Sequence, residues 1–503
     1  MTPLVLDGRS LTIEDLAQAA VMGRLLDLDP AGLSEMARAR GLIDRAIEDK
    51  VPVYGVTTGL GARVTEVLDA KTLADFSQQT LLGRAHAVGP PDRVENIRAS
   101  MIVRLNTLLK GYSGASPAVA HHLLACLNAG LTPVVGSLGS IGAADLIRNA
   151  TIGLCLTGQG EMQNADGKTG PAVQMMRDHG IEPLVLGPRD GLALANHSSC
   201  AAGAAALAVS QAETVFDALQ TAGALSMEAF RANLAPISDG VLGAKPLPGQ
   251  SRAAADLHAK LKGSLFYQEG AARRLQDPIS LRNIPQIHGA LAAALDVARI
   301  TVEIELNGSS DNPVTLLAED RIVSGGAYFT AELTHVIEAI SRAFVHVTVA
   351  QVARVSKHLN PVFSNLPTFL AKSQSGSNGF APVMKVVESL LSEVQHAAQP
   401  VALWPSINAN GVEDCLTNSP TAVSALAQVV DHARMLTAIE LIVAAQAVEL
   451  RGAADQMGPW LTASLARIRE TSAPLVDDRP LGGDIMTLAH RIATGDLQGP
   501  NRE

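Results

Sequence analysis

The spacing of apolar residues differs between two parts of the chain. From about Asn196 onward, apolar side chains recur every three or four residues over long segments, as in TAVSALAQVVDHARMLTAIELIVAAQAVELR from Thr421. A helix of about thirty residues is on the order of 45 Å long, and it needs neighbouring helices to bury its apolar side. The pattern therefore predicts a mainly α-helical protein with a bundle of long helices over residues 196–503.

Residues 1–195 follow a different pattern, in which short helical segments alternate with glycine-rich turns. The most prominent turns are VYGVTTGLGARV from Val53 and VVGSLGSIGAADL from Val134. Loops held by a rigid scaffold often carry the chemistry of an enzyme. We therefore expect a smaller N-terminal region of helices and loops over residues 1–195, and we expect it to contain a catalytic loop.

Composition excludes several classes of protein. Hydrophobic residues make up 47% of the chain and charged residues 17%, which excludes disorder over most of its length. The formal net charge of -10, without a run of Lys or Arg, gives no electrostatic basis for binding nucleic acid or an anionic membrane. The N-terminal segment lacks a signal-peptide pattern, and no uninterrupted apolar run reaches the roughly 18 residues of a membrane span. We expect a soluble, cytoplasmic protein.

The four cysteines are scattered without CxxC spacing, at Cys126, Cys155, Cys200 and Cys415. This distribution indicates neither a disulfide framework nor a zinc site. We therefore expect buried free thiols and no bound metal.

Tyr54 lies among glycines and threonines in YGVTTGLG, in a chain with only four tyrosines. Glycines supply hinges for a mobile lid, and a positioned phenolate can accept a weakly acidic carbon-bound proton. This reasoning makes Tyr54 a candidate catalytic base. The alternative is a turn tyrosine that only packs its ring.

Three further residues suit the binding of an amino acid. Arg282 follows a proline-containing turn in QDPISLRNIPQ, and its guanidinium can grip a carboxylate through two parallel hydrogen bonds, although it could equally form a structural ion pair. Asn196 in LALANHSSC and Asn312 in ELNGSSDNPV could add amide contacts. The alternative for both asparagines is a helix cap or a turn.

Together and in this order, these segments resemble the aromatic amino acid ammonia-lyase family, which includes the histidine, phenylalanine and tyrosine ammonia-lyases. The resemblance spans nearly the whole chain through seven motifs: YGVTTGLG, GSLGSIGAADL, ALANHSS, QDPISLR, ELNGSSDNP, SGSNGF and NANGVED. It implies an all-helical core with a smaller N-terminal region. It also implies a homotetramer in which each active site draws residues from three subunits.

The same resemblance assigns roles to individual residues. Tyr54 takes the position of the family's catalytic tyrosine, and Arg282 that of the arginine that binds the substrate carboxylate. Asn196 and Asn312 match active-site asparagines. Glu413 matches the acidic residue that helps to select the substrate side chain.

The segment before Asp-Leu departs from the family pattern. Ordinary members carry Ala-Ser-Gly there, and this tripeptide cyclises into an electrophilic methylidene-imidazolone that captures the substrate. Here the segment runs from Gly142 through Ala143, Ala144 and Asp145 to Leu146, without the serine whose dehydration creates the methylidene. We therefore expect no prosthetic group. A cyclised tripeptide is sometimes written as one letter, and the mass of the intact protein distinguishes that case.

Three more positions differ from the family. Ile279 stands where a tyrosine is usual, and Arg84 in LLGRAHAVG and Lys385 in GFAPVMKVV replace the usual small, His or apolar residues. Lys385 follows Ala381 by four residues, so we expect both on one helical face. The resemblance implies that this face looks into the substrate pocket. The alternative for Lys385 is a solvated helix lysine.

A retained base without an electrophile points to a substrate whose nitrogen is already activated, because a quaternary ammonium leaves as a neutral tertiary amine. The chain resembles the branch of the family without the prosthetic group, which includes ergothionase. That enzyme converts ergothioneine, a trimethylbetaine of 2-thiohistidine, into thiourocanate and trimethylamine. Lys385 and Glu413 could bracket a thioimidazole ring. Arg84, Lys385 and Glu413 would also suit an acidic or another heteroaromatic group, so the bound side chain stays open. The alternatives are a conventional ammonia-lyase and a catalytically inactive member of the family.

Overall fold

The computed structural model describes residues 2–60, 70–371 and 376–497. The chain folds mainly into helices, as the apolar spacing predicts, with a few short strands. In chain order the helices are α1 (Ile13–Met22), α2 (Pro30–Glu48), α3 (Ala70–Leu82), α4 (Val94–Leu108), α5 (Pro117–Asn128), α6 (Leu146–Leu156), α7 (Ala172–Asp178), α8 (Asp190–Ala195), α9 (Ser199–Phe230), α10 (Asp239–Gly243), α11 (Pro248–Leu261), α12 (Ile279–Arg282), α13 (Ile284–Asn307), α14 (Ala331–Leu359), α15 (Pro361–Ser364), α16 (Val383–Ala397), α17 (Asn408–Gly411), α18 (Ser419–Arg451), α19 (Pro459–Thr471) and α20 (Gly482–Ala493).

The strands are short and form small separate sheets. They are β1 (Leu4–Leu6), β2 (Leu26–Leu28), β3 (Val88–Pro91), β4 (Thr132–Pro133), β5 (Gly136–Leu138), β6 (Glu161–Gln163), β7 (Thr169–Pro171), β8 (Val314–Leu316) and β9 (Arg321–Val323). Strands β1 and β2 pair in parallel, whereas β3–β5, β4–β6–β7 and β8–β9 pair antiparallel. The β8–β9 hairpin lies between Asn312 and Tyr328 in the chain.

Four helices are much longer than the others, namely α9, α13, α14 and α18. The helix expected from Thr421 is confirmed, and it begins slightly earlier, at Ser419. Alanine-rich sequence lets α9 pack closely, with nearly all of its side chains from Ser199 to Phe230 removed from water. The segment Asp190–Phe230 and the helix Ala331–Leu359 are long and apolar enough to cross a membrane, but 94% of the apolar window of the first is buried inside the protein, as in a core helix.

The chain divides into two compact units. The first comprises Met1–Ser210, Arg299–His335 and Val401–Val423, and the second comprises Gln211–Ala298, Val336–Pro400 and Ser424–Glu503. The first segment therefore ends near the division that the sequence suggests at residue 195, while two later segments also join the first unit. The division into domains at residue 195 itself stays a prediction.

The core of the first unit is built around α4. This helix is buried on all sides, from Ile97 to Leu108, and it packs against α1 and α5. Helices α3, α6 and α8 form a second packed group. Three of the four cysteines, Cys126, Cys155 and Cys200, are buried free thiols as expected, and burial raises the pKa of each to about 12. Cys415 is exposed, which corrects the expectation for that residue.

The second unit contains a fully buried ion pair between Arg354 and Glu440, in which Nη2 of the arginine donates to Oε2 over 2.9 Å. Ser226 and Gln351 donate to the same carboxylate over 2.9 and 3.1 Å. Buried charges are tolerated when their hydrogen bonds are satisfied, so this network fixes the packing of α9, α14 and α18 within the unit.

Candidate active site

Tyr54 is held in a tight turn by the threonines that follow it. The hydroxyl of Thr57 accepts from the N–H of Val53 over 2.7 Å and donates to the carbonyl of Val51 over 2.6 Å. Val53 and Val56 are buried against α2, so the half-buried Tyr54 lies between two apolar anchors. The sequence therefore fixes the tyrosine locally. The continuation of the expected lid, residues 61–69, lies outside the described residues.

Gly55 shows why glycine follows the tyrosine. Its φ of +63° lies in the left-handed region, and a Cβ there would approach Leu192 to 2.4 Å and Leu60 to 2.5 Å. The turn thus packs directly onto α8, the helix that leads to Asn196.

The segment from Gly142 to Asp145 is the centre of the candidate site. The carbonyl of Gly142 accepts from the hydroxyls of Thr417 and Thr330 over 3.0 and 3.4 Å. The carbonyl of Ala144 accepts from the Asn149 side chain over 3.1 Å and from the N–H of His197 over 3.3 Å. These bonds fix the segment at the start of α6.

Asp145 joins the N-termini of two helices. It precedes α6, and its carboxylate accepts from the N–H of Ala201 in the first turn of α9 over 2.9 Å and from the hydroxyl of Ser140. Burial raises the pKa of Asp145, while Ser140 and Ala201 oppose that shift. Helix N-termini stabilise negative charge, so the position of Asp145 offsets part of the cost of burying its carboxylate.

A second segment runs beside Gly142–Ala144. Residues 326–329 form a turn closed by a 3.0 Å bond from the N–H of Phe329 to the carbonyl of Gly326. Phe329 pairs with Ala143 in a β-bridge, and the N–H of Ala144 donates to the carbonyl of Tyr328 over 3.4 Å. Tyr328 is thereby fixed next to the segment.

Asn196 and Asn312 also meet. Asn196 ends α8, and its Nδ2 donates to the carbonyl of Asn312 over 2.8 Å. The side-chain oxygen of Asn312 accepts from the N–H of Gly325 over 3.0 Å. Asn196 thus caps the end of α8, and Asn312 stabilises a turn, as the alternative interpretation expected. Both asparagines also lie together in one small region of the first unit.

A buried network supports these asparagines. Arg189 donates to the carbonyls of Asn312 and Pro313 over 3.3 and 3.0 Å and to Asp311 over 3.2 Å. Burial alone would raise the pKa of Asp311, but the charges of Arg104 and Arg189 hold it below its usual range. Burial lowers the pKa of Arg189 to about 10, against the opposing effect of Asp311.

Arg84 and Glu413 complete the cluster in the first unit. Burial lowers the pKa of Arg84, and the charges of Tyr54 and Glu413 oppose that shift. Burial raises the pKa of Tyr328, and the same two groups raise it further. Arg84 and Tyr328 therefore both lie within electrostatic range of Tyr54 and Glu413.

Arg282 lies in the second unit at the end of the short helix α12. It lines a cleft of about 450 Å³ with Asn233, Asp277 and Gln286. Its Nε is buried without a hydrogen-bond partner, and its guanidinium forms no ion pair among the described residues. Such an arginine has the capacity to bind an added carboxylate.

Ile279 and Lys385 are exposed within the single chain. Ile279 begins α12, with 62% of its surface exposed. Lys385 lies in the first turn of α16, which begins at Val383. Ala381 lies in the turn before this helix, so the expected shared helical face is wrong, because the helix begins only after Pro382.

The first unit thus brings together most of the residues that the sequence singles out: Tyr54, Arg84, Asn196, Asn312, Glu413 and the segment with Ala143, Ala144 and Asp145. Arg282 and Lys385 belong to the second unit. No group of three or more His, Cys, Asp or Glu side chains in the described part of the chain could hold a metal ion.

Sequence reasoning missed Tyr328, Arg189 and Asp311. A signal for Tyr328 was available, since it follows two glycines in SGGAYFT and is one of four tyrosines, as Tyr54 is. Arg189 and Asp311 carry no local signal, because their pairing joins residues 122 positions apart.

The family model for aromatic amino acid lyases matches residues 11–470. The chain belongs to this family. The histidine ammonia-lyase of Anaeromyxobacter sp. (strain K) is 34% identical and covers 99% of this chain and 100% of its own length. The tyrosine ammonia-lyase of Cupriavidus metallidurans is 31% identical and covers 98% of this chain and 97% of its own.

Among solved structures, the ergothioneine-degrading enzyme ergothionase from Treponema denticola, in complex with desmethyl-ergothioneine sulfonic acid, is similar to this lyase. The TM-score is 0.93 at 26% identity, covering 99% of this chain and 100% of that one. The protein is therefore a carbon–nitrogen lyase of the aromatic amino acid lyase family.

The residues of this lyase do not fit the family's prosthetic group. The methylidene requires a serine side chain that can lose its hydroxyl, and the segment offers only the methyls of Ala143 and Ala144.

Proposed function

We propose that this lyase eliminates a tertiary amine from an amino-acid betaine, with trimethylamine from ergothioneine as the reaction favoured, and that it does so without a methylidene-imidazolone. One observation carries the proposal. The segment from Gly142 to Asp145 contacts Tyr328, which lies within electrostatic range of Tyr54, yet the segment has no side chain that can become an electrophile. The likeness to ergothionase supports the same choice.

The chemistry balances without a covalent intermediate. The phenolate of Tyr54 takes a proton from the β-carbon of the substrate, the C–H electron pair becomes the new C=C bond, and the C–N bond breaks. The nitrogen takes the electron pair of the broken C–N bond and leaves as neutral trimethylamine. A primary amine would have to leave as ammonia, which needs prior activation.

The remaining residues have binding roles in this proposal. Arg282 binds the substrate carboxylate, because its buried Nε has no partner within the described residues. Asn196 and Asn312 contribute amide contacts near the α-carbon, and the network of Arg189 and Asp311 keeps these asparagines in place. None of these steps requires a cofactor or a metal.

We further propose that the active enzyme is a homotetramer with shared active sites. In such a site, the residues around Tyr54 and the residues Arg282 and Lys385 come from different subunits. Large apolar side chains are exposed beside Glu413, including Trp404 at 72% and Ile407 at 89%. On α13, Val297, Ile300 and Ile304 form an exposed stripe at helical spacing. Exposed apolar patches of this kind favour burial by another protein surface, here a second copy of the chain.

In this proposal, three charged residues select the side chain of the substrate. Lys385 would meet the sulfur of a thioimidazole and Glu413 a ring N–H, so that charge is stabilised as the β-carbon loses its proton. The charge of Glu413 opposes the lowering of the Arg84 pKa by burial, and Arg84 would add a positive charge on the same side of the substrate. A cytoplasmic location also remains part of the proposal.

The decisive experiment compares ergothioneine, the trimethylbetaine of histidine, and histidine itself, by the near-ultraviolet absorbance of the acrylate product and by assays for trimethylamine and ammonia. We expect product from a betaine and none from histidine. Cyanide and borohydride should leave activity intact. Inactivation by either reagent, or an intact mass that shows the loss of two waters from a longer chain, would refute the absence of the prosthetic group.

A histidine ammonia-lyase activity is the second candidate, since the relative from Anaeromyxobacter bears that name. Release of ammonia from histidine at a rate matching betaine cleavage would favour it. A catalytically inactive member of the family is the third candidate, and it predicts no product from any of the three substrates.

A further inference from the structure

Tyr328 is the residue of the site to which the sequence reasoning assigned no role. The turn from Gly326 to Phe329 carries it, and three consecutive links tie that turn to the Gly142 segment. These links are the Thr330 hydroxyl to the Gly142 carbonyl at 3.4 Å, the bridge between Phe329 and Ala143, and the Ala144 N–H to the Tyr328 carbonyl at 3.4 Å. The backbone thus fixes the tyrosine opposite Ala144.

The surroundings of Tyr328 suit a cation without N–H donors. Ala143 and Ala144 present methyl groups in place of a polar or reactive side chain, and Phe329 adds a second aromatic ring to the same turn. A quaternary ammonium spreads its charge over its methyl groups and donates no hydrogen bond. Aromatic faces recognise such a group through the attraction between the cation and the ring.

We propose that the ring of Tyr328, beside the methyl groups of Ala143 and Ala144, forms a wall of the pocket that recognises the quaternary ammonium of the substrate. The inference rests on the proposed function and deepens it, because it names the residue that selects the trimethylated nitrogen. It assigns Tyr328 to specificity and leaves proton transfer to Tyr54.

The electrostatics agree with this division of roles. Burial raises the pKa of Tyr328, and the neighbouring Tyr54 and Glu413 add to that shift, so Tyr328 stays a neutral phenol. A neutral phenol offers its π-face to a cation while its hydroxyl remains a hydrogen-bond donor. The nearby carboxylate of Glu413 adds negative potential to a site for a cation.

The experiment measures binding in the full-length Tyr54→Phe protein, so that bound betaine is not consumed. Two probes are compared by calorimetry, the trimethylbetaine of histidine and its neutral isostere with a tert-butyl group in place of trimethylammonium. The ratio of their dissociation constants isolates the contribution of the positive charge. Tyr328→Leu removes the ring, and Tyr328→Phe, the matched control, removes only the hydroxyl.

We expect the parent protein to bind the betaine more tightly than the isostere. Tyr328→Leu should reduce that preference by about 3- to 30-fold, whereas Tyr328→Phe should retain it within about threefold. An unchanged ratio in Tyr328→Leu, or no preference for the betaine in the parent, would overturn the inference. Wild-type turnover of betaines tests the proposed function separately, so the two failures are distinguishable.

Discussion

Arg104 and Asp311 form a two-pronged ion pair in the interior of the first unit, with Nη1 to Oδ2 at 3.0 Å and Nη2 to Oδ1 at 2.9 Å. The arginine side chain is 2% exposed and the aspartate 0%. Because Asp311 directly precedes Asn312, this pair fixes the backbone that receives the hydrogen bond of Asn196. This buried charge pair thereby helps to position two site residues.

Arg104→Met should destabilise the protein strongly, because the buried carboxylate of Asp311 loses two hydrogen bonds and one of its neighbouring positive charges. We expect a loss of about 3 to 5 kcal/mol in the free energy of unfolding, measured by denaturant titration. Arg321→Met is the matched control, since Arg321 pairs with Glu319 at the surface, where both side chains are at least half exposed. That variant should change stability by less than about 1 kcal/mol. Equal effects of the two variants would contradict the argument.

Glu228 predicts how stability depends on pH. It is 3% exposed, its Oε1 has no hydrogen-bond partner in the described part of the chain, and burial raises its pKa from 4.5 to about 7, against the opposing effects of Ser264 and Arg231. Between these two values the folded state holds a proton that the unfolded state has lost. The contribution of Glu228 to stability therefore falls as pH rises through that window.

Glu228→Gln should remove this dependence and raise the free energy of unfolding at pH 8 by roughly 1 to 3 kcal/mol. The measurement is a series of thermal or denaturant unfolding curves from pH 4.5 to 8. Glu269→Gln makes the same chemical change at an exposed position nearby and should leave the pH profile as it is in the wild type. A Glu228→Gln profile that keeps the wild-type slope would show that Glu228 ionises normally.

Local sequence predicted the parts of the fold that depend on local physics. The apolar spacing from Thr421 predicted α18, because apolar residues at three- and four-residue spacing, with many small residues among them, suit a packed helix. The glycines and threonines around Tyr54 predicted a special turn, which the Thr57 hydroxyl then closes within a few residues. In both cases the interacting groups lie close together in the chain.

The parts that sequence did not predict depend on contacts between distant residues. Arg104 meets Asp311 across 207 positions, and Ala144 meets Tyr328 through backbone atoms that carry no sequence signal. The helical face expected to hold both Ala381 and Lys385 was wrong for a different reason. Pro382 ends the preceding turn, and the helix begins after it, so Ala381 never shares a helical face with Lys385.

Tyr54→Phe should reduce turnover by a factor of about 100 to 10,000, because it removes the only oxygen that we assign to proton abstraction. We expect folding to be preserved, since the Thr57 hydroxyl and the buried Val53 and Val56 hold the turn. Steady-state kinetics and circular dichroism measure the two effects. Tyr112→Phe removes a hydroxyl from a tyrosine that is 38% exposed, and it should be silent. A fully active Tyr54→Phe variant would mean that the proton goes elsewhere.

Arg282→Lys keeps the charge but loses the two-pronged geometry, so catalytic efficiency should fall by on the order of a hundredfold, about 2.7 kcal/mol. The matched test uses the carboxamide of the same substrate. If Arg282 binds the carboxylate, replacing the acid by the amide should lower the catalytic efficiency of the wild type. The same replacement should lower the already reduced efficiency of Arg282→Lys by much less. Equal losses on amidation in both proteins would assign the carboxylate to another residue.

Lys385 and Glu413 are assigned to different atoms of the ring, and that difference gives the last prediction. Lys385→Met should lower kcat/KM for ergothioneine by about 10- to 100-fold, because a charged hydrogen bond to sulfur is lost, and should affect the sulfur-free trimethylbetaine of histidine much less. Glu413→Gln should lower both efficiencies together, since the ring N–H is common to the two substrates. Lys168→Met, at an exposed lysine of the first unit, controls for the loss of one positive charge. The ratio of the two efficiencies in each variant is therefore the quantity to measure. A Lys385→Met variant that slows both betaines equally would place the amine away from sulfur and leave side-chain selection to Glu413 and Arg84.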